Sequence, residues 1–293
     1  MTDTAGPALS SLPAAFLATK DGARLRSSRG TRGPRILATP KGQRLSAVVL
    51  TKNSERLLGD VLAALGWCDE VLVYDTGSTD TTLSIARSFP NVSLHQSKGP
   101  FEGFGVARQA AIKLARNDWI FSVDSDEVVS AELGREIRAM PLDPTCVYVI
   151  PFANFFNGKH ITTCGWAPDR HERLFNRRAT TFNASRVHEN LDTKNLTLVT
   201  LRNPIRHFSY ESYDAFVSKM GSYSRLFATQ NAGKRRSSPA KAVLRSLWAF
   251  FKSFVIERGV FQGVEGLVIS SYKAQTVFWK YLMLHEANSR NAA

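Results

Sequence analysis

Apolar and polar residues alternate in blocks along residues 45–139, and each block has the period of a strand or of a helix. Short apolar runs typical of buried strands occupy residues 45–50, 70–74, 92–95 and 118–123. Apolar residues at helical spacing follow them in residues 57–65, in a segment ending at Ala86, and in residues 103–115 and 132–139. Four strands alternating with four helices predict a mostly parallel, Rossmann-like sheet covered by helices on both faces.

The remainder of the chain differs from this pattern at both ends. Residues 1–44 carry arginines among small residues without an apolar period, which predicts a flexible basic arm. Residues 145–210 contain short alternating runs and predict further strands and loops, and residues 211–286 return to helical spacing. We therefore predict three parts: an arm (1–44), an α/β domain (45–210) and a C-terminal helical basic region (211–293).

The net charge of +13 at pH 7 lies almost entirely at the two ends. Residues 1–45 contribute +6, residues 46–233 contribute zero, and residues 234–293 contribute +7. Basic ends suit polyanions such as an anionic membrane surface or nucleic acid; the alternative is ordinary solvated surface charge. A nucleic-acid-binding protein would place charge and a recognisable motif in the folded centre, and the sequence has neither, so we expect no nucleic acid partner.

Several classes are disfavoured by what the sequence lacks. The three cysteines form no CxxC pair and are too few for a disulfide scaffold. We find neither a signal-peptide pattern nor a run of 18 apolar residues, and so expect a soluble, cytoplasmic protein. GxGxxG, GxxxxGK[ST] and GxSxG are also absent, which disfavours the dehydrogenases, P-loop enzymes and hydrolases that carry them.

Polar clusters follow three of the predicted strands, at residues 51–55, 75–80 and 124–127. Ligands of parallel α/β sheets bind where the strands end, so these clusters predict one shared site. The segment Asn53-Ser54-Glu55 is also expected to cap the helix that follows it.

Asp124 and Asp126 form a DxD motif at the end of the fourth strand. Two carboxylates so spaced can converge on a hard divalent cation, Mg²⁺ or Mn²⁺; the alternative is a surface turn. Asp75 can accept a hydrogen bond from a base or a ribose, or serve only its turn. Arg108 can reach the site or a phosphate, or be an exposed helical arginine.

Longer segments carry a family resemblance. Residues 48–53, 69–80, 101–105 and 118–127 resemble family 2 glycosyltransferases of the GT-A fold. Residues 165–169, 173–175 and 187–189 are similar to the lipopolysaccharide core β-1,4-glucosyltransferase subfamily. The similarity runs from about residue 45 to residue 285. It implies a GT-A nucleotide-diphospho-sugar transferase domain with a C-terminal helical extension.

The resemblance also implies roles for individual residues. The nucleotide-sugar would be bound by Thr51, Asn53, Glu55, Asp75, Ser78, Arg108 and Asp124. Asp126 would bind the metal, with His188 or His207 completing its shell unless these histidines are structural. The catalytic base would be Asp169, with Glu189 as competitor and Glu172 as a third candidate. Trp166 would stack on the acceptor sugar or pack in the core.

The implied reaction is an inverting, metal-assisted transfer of a sugar, glucose by resemblance, from a UDP-sugar to a lipopolysaccharide core or similar glycan acceptor. The alternatives are a capsule, another envelope polymer or a peptide as acceptor, and a nucleotidyltransferase or sugar-phosphate enzyme on a similar sheet. Such an acceptor would be met at the cytoplasmic face of the inner membrane, by a peripheral protein.

Residues 238–258 have a sequence pattern that concerns the expected peripheral membrane location. An apolar stripe through Val243, Leu247, Phe251 and Val255 accompanies basic residues on another side. This pattern predicts a basic amphipathic helix lying on an anionic membrane surface. The alternative is an ordinary helix packed on the rest of the protein.

Overall fold

The computed structural model describes residues 43–99, 101–183, 190–210 and 213–290. The predicted arm, residues 1–44, lies outside them except for Gln43 and Arg44. The described chain forms two compact units. We call residues 43–153 with Arg170–His207 the sheet unit, and Asn154–Asp169 with the chain from Phe208 onward the helical unit. The domain limits predicted at residues 44 and 210 stay a prediction.

Ten strands and seven α-helices make up the described chain. The strands are β1 (Leu45–Thr51), β2 (Glu70–Asp75), β3 (Val92–Gln96), β4 (Trp119–Asp124), β5 (Glu127–Val129), β6 (Cys146–Phe156), β7 (Lys159–His160), β8 (Asp169–Asn176), β9 (Thr197–Thr200) and β10 (Ile205–Tyr210). The helices are α1 (Leu58–Ala64), α2 (Thr82–Arg87), α3 (Phe104–Leu114), α4 (Ala131–Ala139), α5 (Tyr213–Asn231), α6 (Pro239–Phe251) and α7 (Val264–Arg290). A π-helical turn, Lys252–Ile256, and a 3₁₀ helix, Gly259–Gln262, connect α6 to α7.

The sheet has the strand order β3-β2-β1-β4-β8-β6-β10-β5, with β7 and β9 paired to β6. Strands β1 to β4 pair in parallel, as the alternation of strands and helices predicts. Strand β8 adds to β4 in the antiparallel direction. Every residue of β1 and β4 is buried, because helices cover both faces of a parallel sheet.

The core of the sheet unit lies between the parallel strands and α3. Val48 and Leu50 of β1 and Ile120 of β4 pack there against Ala111 and Ile112 of the helix. Because successive strand residues point to opposite faces, Val48 and Leu50 lie on the same side of the sheet.

The helical unit has a core of its own, rich in aromatic side chains. Phe156, Trp166, Tyr210 and Phe216 belong to this cluster, together with Ile269 of α7. Tyr210 and Phe216 stack with ring centroids 4.6 Å apart.

Helix α6 confirms the helix predicted from residue 238 as far as Phe251. Ser238 caps it, its hydroxyl accepting a hydrogen bond from the Lys241 amide at 3.2 Å, and Pro239 begins the first turn. The helix lies along α7, where the Ser246 hydroxyl donates to the Ala274 carbonyl at 2.9 Å. No helix among the described residues is long and apolar enough to span a membrane.

All three cysteines are free thiols. Cys68, in the sheet unit, and Cys164, in the helical unit, are buried, whereas Cys146 of β6 is half-buried. Burial raises the pKa of both buried thiols.

Candidate active site

Three strand ends that carry polar residues meet at one edge of the sheet unit. Thr51, the last residue of β1, pairs with Asp75, the last residue of β2. On the other side of β1, Leu50 pairs with Asp124 at the end of β4. The parallel pairing therefore brings the three predicted polar clusters together.

Asp75 is fully buried and holds the turn that follows β2. Its carboxylate accepts hydrogen bonds from the Gly77 and Ser78 amides, each at 3.0 Å, and from the Ser78 hydroxyl. Gly77 has φ +105°, a conformation that a residue with a side chain rarely adopts. Asp75 thus lies at the shared edge and fixes its own turn, as the turn interpretation expects. Its contact with a base or a ribose stays a prediction.

The loop after β1 is tied to the loop after β2 by side chains. Asn53 Oδ1 accepts a hydrogen bond from the Thr79 amide at 2.8 Å. Glu55 Oε2 accepts from the Thr81 amide at 3.0 Å and from the Thr81 hydroxyl at 2.7 Å. These cross-links set Asn53 and Glu55 beside the predicted site.

The same contacts correct one prediction. Helix α1 has Leu57 as its N-cap residue, without a side-chain capping bond, so Asn53-Ser54-Glu55 do not cap it. The Asn53 and Glu55 oxygens are taken by the neighbouring loop, and the Ser54 carbonyl accepts from the Leu58 amide at 3.0 Å instead.

Ser54 also joins this pair of loops to the DxD motif. Its hydroxyl lies 2.8 Å from the hydroxyl of Ser125, the residue between Asp124 and Asp126. All three polar clusters are therefore connected by hydrogen bonds.

Asp124 is held by two arginines from different elements. Arg108 of α3 donates to Asp124 Oδ1 at 2.5 Å, and Arg173 of β8 donates to Oδ2 at 2.9 Å. Burial alone would raise the pKa of Asp124, but the two guanidinium groups hold it well below its usual range. Arg108 is 2% exposed and contacts Asp124, so it is not an exposed helical arginine.

Glu127 belongs to the same cluster of side chains, and the sequence interpretation did not single it out. It is fully buried, its Oε2 accepts from the Asp124 amide at 2.9 Å, and its Oε1 accepts from Arg173. Burial, together with the Asp124 charge, raises the pKa of Glu127 to about 7, although Arg173 opposes this. Its position directly after the DxD motif was the only signal in the sequence.

Asp126 faces His207 of β10. His207 Nε2 lies 3.6 Å from Asp126 Oδ2, and the histidine is buried. Burial by itself would lower the pKa of His207, but the Asp126 carboxylate raises it overall. Among the described residues, Asp126, Glu127 and His207 place one ligand atom each within 4.8 Å of one another. His188, the first histidine proposed for the metal, lies outside those residues.

Two other predicted residues, Asp169 and Trp166, belong to the helical unit. Asp169 is 8% exposed and accepts a hydrogen bond from Asn154 Nδ2 at 2.8 Å. Trp166 is 3% exposed and lies in the aromatic core, the position that the packing interpretation expects. Glu189, the competing base, lies outside the described residues, and Glu172 is a half-buried residue of β8.

The fold and this cluster define an α/β protein whose candidate ligand site lies at the carboxyl ends of parallel strands. Residues 46–195, just over half of the chain, match the glycosyl transferase family 2 domain. The chain belongs to this family and is a glycosyltransferase. The predicted fold class, a GT-A-like α/β fold with a mostly parallel sheet and C-terminal helices, is confirmed.

Several bacterial proteins named as glycosyltransferases are similar to this chain. An uncharacterized glycosyltransferase of Rickettsia typhi is 28% identical over 267 residues, 85% of this chain and 90% of that protein. The lipopolysaccharide core biosynthesis glycosyltransferase LpsC of Rhizobium meliloti is 27% identical over 199 residues, 65% of this chain and 73% of its own length. Among solved structures, Staphylococcus aureus TarS 1-349 in complex with UDP-GlcNAc aligns with a TM-score of 0.45 at 17% identity, over 85% of this chain and 92% of that one.

Proposed function

We propose that this glycosyltransferase moves a sugar, glucose by resemblance, from a UDP-sugar to a hydroxyl of a lipopolysaccharide core or similar glycan, with inversion. Family membership supports the reaction class, and similarity to LpsC supports the acceptor class. The observation that carries the proposal is the Asp126–His207 pair beside the buried Asp124 at the end of β4.

The donor is proposed to bind along the linked strand-end loops. Thr51, Asn53 and Glu55, with the turn that Asp75 and Ser78 form, would contact the uridine. These loops are cross-linked before any ligand arrives, so little ordering would oppose donor binding.

The donor set at the end of β4 fits a divalent cation. A carboxylate and an imidazole are ligands that Mn²⁺ accepts, and carboxylate with water suits Mg²⁺. Asp126 and His207 would hold the ion, and Arg108 and Arg173 would keep Asp124 ionised and the loop in place beside them. A bound cation would stabilise the negative charge that develops on the departing diphosphate.

Inversion requires a carboxylate that removes the proton of the acceptor hydroxyl as that oxygen attacks the anomeric carbon. We propose Asp169 for this role, with Glu189 as the competing residue. The Asn154 amide fixes the orientation of the Asp169 carboxylate. We propose Trp166 only as a packing residue of the helical unit, because it is buried in the aromatic core.

The acceptor proposed here would be reached at a membrane. We propose that the enzyme is peripheral on the cytoplasmic face of the inner membrane, at an anionic surface. The basic C-terminal sequence supports this location.

Release of UDP from a panel of UDP-sugars, with Mg²⁺, Mn²⁺ or excess EDTA, tests the reaction without an acceptor, because slow hydrolysis reports the donor. We expect release from one UDP-sugar, lost in EDTA and in Asp126→Asn. Asp60→Asn, an exposed carboxylate on α1, is the matched control and should behave as wild type. Full activity in EDTA, or turnover of nucleoside triphosphates in place of UDP-sugars, would overturn the proposal.

A further inference from the structure

The helical unit exposes many large apolar side chains between the start of α6 and the first turn of α7. On α6 these include Leu244, Leu247 and Trp248, which are 68%, 64% and 57% exposed. After α6 they include Ile256, Val260 and Phe261, and Phe261 is 82% exposed. We call these six side chains the apolar surface.

The apolar surface is not the side by which α6 packs. Ala242 is the buried residue of that helix, and Ser246 hydrogen-bonds to α7. Lys241 and Arg245 lie over the Tyr281 ring of α7, 5.6 and 4.9 Å from its centroid. Small and basic residues of α6 thus contact α7 while Leu244, Leu247 and Trp248 stay exposed, the reverse of an ordinary surface helix.

Positive charge predominates in the sequence around the apolar surface. Residues 234–268 contain seven Lys and Arg but only two acidic residues, Glu257 and Glu265. Glu257 pairs with Lys273 at 3.0 Å and with Lys252 at 3.4 Å, and Glu265 pairs with Lys159. Both carboxylates are mostly buried, while Lys252 and Arg258 are exposed.

We infer that the apolar surface inserts into the interface of an anionic lipid bilayer, with the surrounding lysines and arginines on the lipid phosphates. Exposed Trp and Phe side chains surrounded by basic residues are what a helix needs to lie in such an interface. A second copy of this chain is the weaker occupant, because pairing two apolar surfaces would bring two positively charged rims together.

This inference rests on the peripheral location proposed above and specifies the residues that would produce it. It also changes the predicted picture of residues 238–258. Lys241 and Arg245 stack on α7, so the charges proposed to meet lipid are Lys252 and Arg258 together with the exposed run 234–236.

The test is co-sedimentation of the full chain, without donor, with vesicles of phosphatidylcholine alone and of phosphatidylcholine with phosphatidylglycerol, at low and high salt. We expect binding to the anionic vesicles that high salt weakens. Trp248→Ser and Phe261→Ser should each reduce that binding about tenfold or more. Lys252→Gln and Arg258→Gln should each reduce it about fivefold.

Matched controls lie in the sheet unit. Leu198→Ser removes an exposed apolar side chain, and Arg135→Gln removes an exposed basic one; neither should alter vesicle binding. UDP release by Phe261→Ser, measured without vesicles, should equal that of wild type, which separates this inference from the proposed reaction.

Three results would overturn the inference. One is equal binding to neutral and anionic vesicles. Another is unchanged binding to anionic vesicles by the variant that carries both Trp248→Ser and Phe261→Ser. The third is a dimer in light scattering that Phe261→Ser converts to a monomer while vesicles bind neither form, since this would assign the apolar surface to a second copy.

Discussion

Arg173 Nη2 lies 2.9 Å from Asp124 Oδ2 and, through the same nitrogen, also bonds to Glu127. One guanidinium on β8 therefore serves two buried carboxylates at the end of β4. Removing it would leave Glu127 without its arginine partner and Asp124 with only one of its two arginines, Arg108, both in a buried environment.

We therefore expect Arg173→Met to lower the free energy of unfolding by about 3–5 kcal/mol, the usual cost of breaking a buried ion pair. Denaturant unfolding at neutral pH measures this. The double variant Arg173→Met/Glu127→Gln should recover part of the loss, because one buried charge is then gone. Arg178→Met, whose side chain is 80% exposed although it pairs with Asp118 at 2.7 Å, should cost no more than about 1 kcal/mol. If Arg173→Met and Arg178→Met lowered the free energy of unfolding equally, the importance given to the buried Arg173 ion pairs would be contradicted.

The proposed base can be separated from its competitor by kinetics. Asp169→Asn keeps the shape of the side chain and an acceptor for Asn154, so we expect kcat to fall by about 10²-fold or more while KM for the donor stays nearly unchanged. Steady-state assays with donor and acceptor, and an unfolding curve that matches wild type, provide the check.

Glu189→Gln and Glu172→Gln are the comparison variants for this prediction. If Glu189→Gln produces the loss and Asp169→Asn does not, the order of the candidates is wrong. If neither variant changes kcat, the role of catalytic base that the family resemblance implies for Asp169 or Glu189 is wrong.

Glu257 predicts a pH dependence of stability in the helical unit. Burial would raise its pKa, but the ion pairs with Lys273 and Lys252 hold the pKa below its ordinary value. A carboxylate with a lowered folded-state pKa stabilises the protein above its unfolded pKa of about 4.3, and that contribution disappears as pH falls through the folded value. Glu257→Gln should therefore be less stable than wild type at neutral pH, and the difference should shrink towards low pH.

Urea unfolding of both proteins across this range tests the sign. Glu286→Gln is the control, because the Glu286–Arg290 pair lies on the surface and should contribute little at any pH. A stability difference for Glu257→Gln that grows as pH falls would be inconsistent with this account.

Gly266 permits the close approach of α7 to the segment before it. A Cβ there would lie 1.8 Å from the Gly259 carbonyl oxygen. Alanine normally stabilises a helix by up to about 1 kcal/mol relative to glycine, but here we expect Gly266→Ala to destabilise by about 3 kcal/mol or more.

Gly221→Ala is the matched substitution, inside α5 of the same unit. The atoms nearest to its Cβ would be the guanidinium of Arg225, beginning at 3.4 Å, and this side chain can move away. Thermal unfolding should give opposite shifts for the two variants, lower for Gly266→Ala and unchanged or higher for Gly221→Ala. A stabilised Gly266→Ala would show that the two segments can separate at little cost.

Much of the sheet unit could be predicted because its strands are buried on both faces. Continuous apolar runs ending in polar residues placed Thr51, Asp75 and Asp124 at strand ends, and parallel pairing then required them to share an edge. The Arg173–Asp124 contact joins residues 49 positions apart, and no periodicity encodes such a distance.

Two other features, the histidine beside Asp126 and the exposed side of α6, could not be predicted from the sequence either. His207 could be proposed as a metal ligand only as one of two histidines, because the choice depends on which strand pairs with β5, and that strand proved to be β10. The apolar stripe of α6 was visible in the sequence, but a stripe does not reveal which side of a helix meets the protein. The contacts of Lys241 and Arg245 with the Tyr281 ring show that the basic side of α6 faces α7.

The three free thiols differ in burial, so their chemical labelling can be used to follow unfolding of the protein. A thiol reagent should modify half-buried Cys146 first, because Cys68 and Cys164 react only when the structure around them opens and their raised pKa values keep them protonated. Since Cys68 belongs to the sheet unit and Cys164 to the helical unit, the order in which they are labelled reports which unit opens first. Each unit thus contains one buried native cysteine whose labelling rate reports the opening of that unit, so no engineered probe is needed.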